Sequence, residues 1–147
     1  MHNELSNNMK IIVAGNAAGA ATTTIDGSVV VDTGGYQRTL WLAILGDITA
    51  TSVLNLKVQD NTANSTSGMA DITGATTGNL TAGASDYDNK VLGVDVKNGK
   101  RRYQRFSLAR GTANAVVQAV IAICYNGDKI PTGLVGDLKA LTQALAA

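Results

Sequence analysis

Few side chains in this sequence could do covalent chemistry, and their spacing works against it. The chain has one histidine, His2, and one cysteine, Cys124. A nucleophile needs a base held rigidly beside it, and His2 sits in the polar run Met1-His2-Asn3-Glu4-Leu5-Ser6, where nothing would fix it. Cys124 closes an apolar run with no histidine near it in sequence, so it reads as a buried structural thiol. Asp86-Tyr87-Asp88 places two carboxylates two positions apart, the kind of oxygen cluster a hard cation takes, but without the ligand spacing of a calcium loop. A solvated turn is the expected reading, and no metal or other cofactor is expected.

The dense basic run Lys97-Asn98-Gly99-Lys100-Arg101-Arg102 has the charge to meet phosphates. A formal net charge of +1 gives no long-range pull on nucleic acid or an anionic membrane, so a charged hairpin tip is expected there. The same cluster could meet an acidic patch on a protein. Gly15-Asn16-Ala17-Ala18-Gly19 and Gly74-Ala75-Thr76-Thr77-Gly78 lack the Lys-Ser/Thr ending of a phosphate loop and read as spacers. No apolar stretch is long enough to span a membrane, and no signal-peptide pattern is present. The chain is expected not to be an enzyme.

The elements around these residues read as short strands. Sixteen glycines, one proline and many Thr, Asn and Ser predict frequent turns. Met9 to Ala14 reads as a first strand or apolar arm, Gly15 to Gly27 as a loop or extended arm, and Ser28 to Asp32 as a short strand. Stronger strands are expected over Tyr36 to Ile48, Ser52 to Gln59, Val91 to Lys97, Lys100 to Ala109 and Val116 to Tyr125. Leu54, Leu56 and Val58 alternate with Asn55, Lys57 and Gln59, as do Leu92, Val94 and Val96 with Gly93, Asp95 and Lys97, the pattern of half-buried antiparallel strands. Asn98-Gly99 predicts a type I′ turn that would lay Lys100 to Ala109 beside Val91 to Lys97. Asp60 to Asn89 reads as a long decorated loop with a short strand near Ala70 to Thr73. Leu134, Leu138, Leu141 and Leu145 recur at helical spacing and predict a short amphipathic helix.

Two strands carry apolar residues on both faces. Leu40, Leu42 and Ile44 oppose Trp41, Ala43 and Leu45; Val117, Ala119, Ile121 and Ile123 oppose Val116, Val120, Ala122 and Cys124. A two-layer sandwich covers only the inner face of each sheet, so the outer face needs a helix, a loop or another subunit. The small residues of the second face suggest close approach by a neighbour.

Three pieces carry a resemblance. They are Val29-Val30-Val31-Asp32-Thr33-Gly34-Gly35-Tyr36 leading into Leu40–Leu45, then Leu54-Asn55-Leu56-Lys57-Val58-Gln59-Asp60-Asn61 leading through a Ser/Thr/Gly loop to Ala70-Asp71-Ile72-Thr73-Gly74, and Lys100-Arg101-Arg102-Tyr103-Gln104-Arg105-Phe106-Ser107-Leu108. In this order they resemble small structural proteins of tailed bacteriophages, of the capsid decoration or cement type. The resemblance covers roughly Val29 to Tyr125 and leaves out the leucine stripe. It implies a sandwich or jelly-roll fold and a protein that binds an assembled capsid lattice and stabilises the shell.

These readings together give an all-β, antiparallel β-sandwich or jelly-roll-like domain over residues 28–130, with an arm or first strand over 1–27 and an amphipathic helix over 131–147. The expected partners are a second or third copy of the chain (homodimer or homotrimer) and the phage major capsid protein, without nucleic acid or membrane. The contact residues expected are Ile11, Ile12 and Val13, Trp41, Lys100, Arg101 and Arg102, Val120, and Leu134, Leu138, Leu141 and Leu145. The expected location is the capsid exterior, after synthesis in a host cytoplasm. A tail or head–tail joining component, and a surface-adhesion or glycan-binding sandwich, are the alternatives.

Overall fold

The computed structural model describes residues 8–128 and 136–137, and every regular element among them is a strand. β1 (Met9–Gly15), β2 (Ala18–Ala21), β5 (Tyr36–Ile48), β9 (Val91–Lys97) and β11 (Ala115–Gly127) form a front sheet in the order β1-β11-β5-β9, with β2 continuing β1 along β11. β3 (Ile25–Asp26), β4 (Val31–Asp32), β6 (Val53–Asn61), β7 (Ala70–Thr76), β8 (Leu80–Thr81) and β10 (Tyr103–Gly111) form a back sheet in the order β3-β10-β6-β7, where β4 also pairs with β10 and β8 with β6. All pairings between these strands are antiparallel. The two sheets close face to face as a β-sandwich.

The core sits between them. Leu54, Leu56 and Val58 from the back sheet and Leu92, Val94 and Val96 from the front sheet are all buried, as their alternation requires. Trp41 from the front and Phe106 from the back meet with ring centroids 6.2 Å apart at a tilted angle. The indole N–H donates to Gln104 Oε1 at 3.1 Å, so the one polar atom of the buried tryptophan is satisfied. Gln104 Nε2 donates in turn to Asn98 Oδ1, which also accepts from Thr39 Oγ1, while Asn98 Nδ2 donates to the Tyr36 carbonyl. A buried polar chain of this kind fixes how the two sheets register, because any slip would strand several groups without partners.

This network corrects one expectation. Asn98-Gly99 does not turn a hairpin: β9 belongs to the front sheet and β10 to the back, and residues 98–102 carry the chain across. Neither residue has the positive φ that a type I′ turn demands. Asn98 is used instead for its side-chain amide. The crossing from β10 to β11 passes through Thr112, at φ 67°.

Residues 15–27 are also more ordered than a loop. The segment contains β2 and β3 and passes from the front sheet to the back, so the first strands belong to the sandwich rather than to a free arm. Arg110, 5 % exposed, straps it down. Its guanidinium donates to the carbonyls of Thr23, Gly19 and Ala115 and to Thr23 Oγ1, at 2.8–3.0 Å. Burial pulls the Arg110 pKa below its usual value, and the neutral carbonyls supply the solvation that water would. Arg110→Met should cost about 2 kcal/mol, the typical value of lost charged hydrogen bonds. It should also sharply lower amide protection at Ala18–Ala21 relative to β6; unchanged exchange there would remove the strap from the account.

Asp32 and Arg102 clasp β4 to the start of β10. Two guanidinium nitrogens reach the two carboxylate oxygens at 2.5 and 2.8 Å, and the Gly34 N–H donates to the same carboxylate at 2.9 Å. The hydrogen bond from Arg102 holds the Asp32 carboxyl below its ordinary 3.8, against a smaller desolvation effect. Because the folded pKa is the lower one, the clasp contributes above the unfolded value near 3.8 and is lost as pH falls through the folded value. A carbon-detected NMR titration should find Asp32 below 3.8 in the native chain and moving back up in Arg102→Gln.

The expected helix over 131–147 cannot run unbroken. Gly136 has φ +68° and pairs in a parallel bridge with Ile11, where a helix needs a negative φ near −60°. Leu134, Leu138, Leu141 and Leu145 lie outside the described residues.

Candidate functional site

The outer faces of the two sheets differ in kind. On the back sheet, exposed side chains satisfy each other in a polar lattice. Arg105 Nε donates to Gln59 Oε1, Gln59 Nε2 to Asp71 Oδ1 and Lys57 Nζ to Asp71 Oδ2, all at 2.7–2.8 Å. Thr76 Oγ1 donates to Asn55 Oδ1, and Ser107 Oγ to Asp26 Oδ1. The hydrogen bond from Lys57 keeps the Asp71 carboxyl below its usual value. This is an ordinary water-facing surface.

The front sheet presents hydrocarbon to the same solvent. Its pairing register aligns Val13, Ile121, Leu42 and Gly93 in one row, Ile11, Ile123, Leu40 and Asp95 in the next, and Ala119, Ile44 and Val91 in a third. Alternation sets them outward: their neighbours Ala14, Trp41, Ala43, Leu92, Val94, Val120 and Ala122 are buried inside. Val13 is 45 % exposed and Val91 53 %. Gly93 leaves room for Leu42 to lean over it, since a Cβ there would lie 3.4 Å from the leucine's Cδ2. The result is a continuous branched-aliphatic surface running from β1 to β9.

Polar groups bound one end of it. Tyr125 Oη donates to Asp95 Oδ2 at 2.6 Å, and Arg38 Nε reaches Tyr125 Oη at 3.0 Å and Asp95 Oδ1 at 3.3 Å. The hydrogen bond to Asp95 raises the Tyr125 phenol, which favours its neutral, donating form, and Tyr125 and then Asp95 raise Arg38, which favours its charged form. Gln118, exposed on β11, stands beside Gly46 at the other end. An apolar centre with a polar edge is the anatomy of a protein-binding surface.

The structure redistributes the contact residues expected from sequence. Ile11 and Val13 lie on this face, whereas Ile12 turns inward against the core. Trp41 and Val120, 0 % and 1 % exposed, are interior residues and are withdrawn from any surface. Their misplacement has a definite cause at Val120. A β-bulge between Val117 and Ala119 shifts the register of β11 against β5, so Val117 joins Val120, Ala122 and Cys124 inside. The small residues Ala43, Ala122 and Cys124 therefore make room for Trp41 and Phe106 in the core, not for a neighbouring subunit. Cys124 is wholly buried, with burial pushing its thiol up.

Of the basic cluster, Arg101 is paired with Asp60 at 3.0 Å and Arg102 with Asp32, which leaves Lys97 and Lys100 as its exposed members without an ion pair among the described residues. An open cleft of about 380 Å³ next to the cluster is lined by Thr33, Tyr36, Gln37, Lys97, Asn98 and Arg102, with no carboxylate, thiol or imidazole among the described residues of its wall. Asp88 accepts the Ile48 N–H at 2.9 Å, and Tyr87 packs partly buried against the core rather than standing out from its loop. Among the described residues no three His, Cys, Asp or Glu side chains are grouped to hold a metal ion.

The residues missing from the expected contacts are Leu40, Leu42, Ile44, Ile121, Ile123 and Val91. A signal was present in the two-faced pattern of β5 and β11, but not which face was the outer one.

No protein-family model matches the chain, and no curated protein matches it. Among solved structures, a chain of Desmodium yellow mottle tymovirus superposes over 85 % of this chain and 93 % of that one, with 15 % identity and a TM-score of 0.31. So loose a superposition leaves the strand pairing itself as the description of this fold.

Proposed function

We propose that the chain is a structural protein of a tailed-phage particle that decorates the capsid by binding its assembled major capsid protein lattice. The observation that carries this reading is the one-sided sandwich: a saturated polar back and an aliphatic front bounded by a locked polar trio. A contiguous apolar surface of that kind, rimmed by polar residues, is the mark of a protein-interaction site. The low charge, 16 % of residues, weakens repulsion between copies crowded on a shell. Joining β1 with β2, β3 with β4 and β7 with β8 leaves eight strands wound in the manner of a jelly roll, which we read as agreeing with the phage resemblance in Val29–Tyr36, Leu54–Asn61 and Lys100–Leu108. Many modest contacts repeated over a lattice then add through multivalency. The protein works without catalysis or cofactor, as a dimer or trimer on the capsid exterior.

Co-sedimentation with expanded and unexpanded shells of the cognate major capsid protein tests this. Saturable binding at a simple ratio, selective for the expanded lattice, is the expected result. Binding to neither shell would move the protein to the tail or the head–tail junction. A glycan-binding surface would want an exposed aromatic on a loop, and Tyr87 is instead partly buried against the core.

A further inference from the structure

An open strand edge is a template for pairing with another chain, and proteins blunt their edges with bulges, short strands or covering segments. Three of the four edges of this sandwich are blunted in that way. On β1 the free side is taken: the Asp137 N–H donates to the Ile11 carbonyl, and its carboxylate accepts the Val13 N–H. β2, which continues that edge, breaks register on β11 and gives its Gly19 carbonyl to Arg110. On the back sheet, β3 and β4 are two residues each, and β7 shifts register against β6 and carries Gly74 at φ +81°.

β9 is the exception. Its seven residues pair with β5 without a break in register. The Leu45 N–H donates to the Lys90 carbonyl and the Asn98 N–H to the Gln37 carbonyl, so the even-numbered positions bond to β5. Alternation then points the N–H and C=O of Val91, Gly93, Asp95 and Lys97 away from the sheet. Among the described residues these groups meet no hydrogen-bond partner.

The side chains along this edge select its occupant. Lys97 has no ion pair among the described residues, and Asp95 stands two positions before it on the same exposed face. A lone lysine ordinarily guards an edge against pairing. Here an identical edge run antiparallel brings Asp95 opposite Lys97 twice, and Gly93 opposite Gly99, where no side chain crowds the approach. Residues opposed in this way exchange both main-chain hydrogen bonds with their Cα atoms about 5.5 Å apart, close enough for the ammonium to reach the carboxylate. Arg38 and Tyr125 already hold that carboxylate in place, and it has lone pairs to spare. The edge is complementary to itself about a two-fold axis, which is what an isologous dimer requires.

We propose that β9 pairs antiparallel with β9 of a second copy, across a two-fold axis at Val96, with Asp95 of each chain opposite Lys97 of the other. The two front sheets then run on as one. Opposed residues lie on the same side of a sheet, so both aliphatic faces turn the same way. The decorating unit of the capsid reading becomes a dimer, but the pairing rests on the edge alone and needs no shell.

Charge exchange tests both the edge and its register. The parent chain should sediment as a concentration-dependent dimer. Lys97→Asp leaves two carboxylates on the edge, and Asp95→Lys leaves two ammonium groups. Each variant should self-associate about tenfold more weakly, since like charges then oppose each other twice. Mixed in equal amounts, the two should form a heterodimer close to the parent in strength. Amide exchange locates the contact: Gly93 and Asp95 should slow as the parent is concentrated and exchange freely in Lys97→Asp, with Leu92 and Val94 protected in both. A parent that stays monomeric or forms a trimer, a dimer indifferent to both charge changes, or a mixture that stays unpaired overturns the proposal. So does slow exchange at Gly93 and Asp95 in a monomer, which would mean that the chain fills its own edge. None of these readouts involves a shell, so a dimer that fails to bind capsids would reject the capsid role and leave the pairing standing.

Discussion

Trp41→Ala is expected to lower the melting temperature by roughly 10 °C or more, the largest stability loss of any single substitution in this chain. Removing a buried tryptophan costs about 3–5 kcal/mol, and a domain near this size loses roughly 2–4 °C per kcal/mol. Two losses combine at this site. The indole fills the space between the sheets against Phe106, and its N–H satisfies Gln104, itself 1 % exposed. Trp41→Phe separates them: most of the ring volume stays, while Gln104 Oε1 loses its donor, which should cost about 1–3 kcal/mol. The two variants compared with Gln104→Leu and the double variants form a cycle that measures the polar term. A Trp41→Ala chain melting within 2–3 °C of the parent would mean that the sandwich is not centred on this contact.

The second large effect is on association. Leu42→Lys with Ile121→Lys puts two ammonium groups in the middle of the front face, where their positions face each other across β5 and β11. Shell binding should weaken by at least about 30-fold, the equivalent of one interface hot spot of 2 kcal/mol. The melting temperature should move by only a few degrees, since both positions point away from the core. Thr73→Lys on β7, exposed on the polar back sheet, is the matched control and should bind as the parent does. Loss of binding in the control, or full binding in the double variant, would place the docking surface elsewhere.

Both results turn on which side of a strand faces in, and that is where the sequence and the tertiary structure part. Alternation alone determined β6 and β9: Leu54, Leu56, Val58 and Leu92, Val94, Val96 are opposed by a single apolar residue in each strand, Val53 and Val91 at the first position, so their inward face was unambiguous. The two-faced composition of β5 and β11 was equally legible, and with it the need for a cover. The type of the chain as an antiparallel sandwich followed from these patterns and the density of turns. The bounds of β5 and β9 match the sequence reading residue for residue.

What sequence could not decide was set by contacts between distant residues. Trp41 faces inward because Gln104, 63 positions away, offers its indole a partner and Phe106 offers it a ring. Val120 faces inward because a bulge after Val117 changes the parity of β11, and a bulge leaves no mark in a run of valines and alanines. Asn98-Gly99 carries the local signature of a hairpin, yet Thr39, Tyr36 and Gln104 claim the asparagine side chain from three directions and draw the chain across to the other sheet. The joining of Gly136–Asp137 to the edge of Ile11–Val13 spans 124 positions and has no local signal at all. Composition thus determined that this protein has apolar surface to spare. Only the packing of the two sheets, by using one face of β5 and β11 for the core, decided which residues form it.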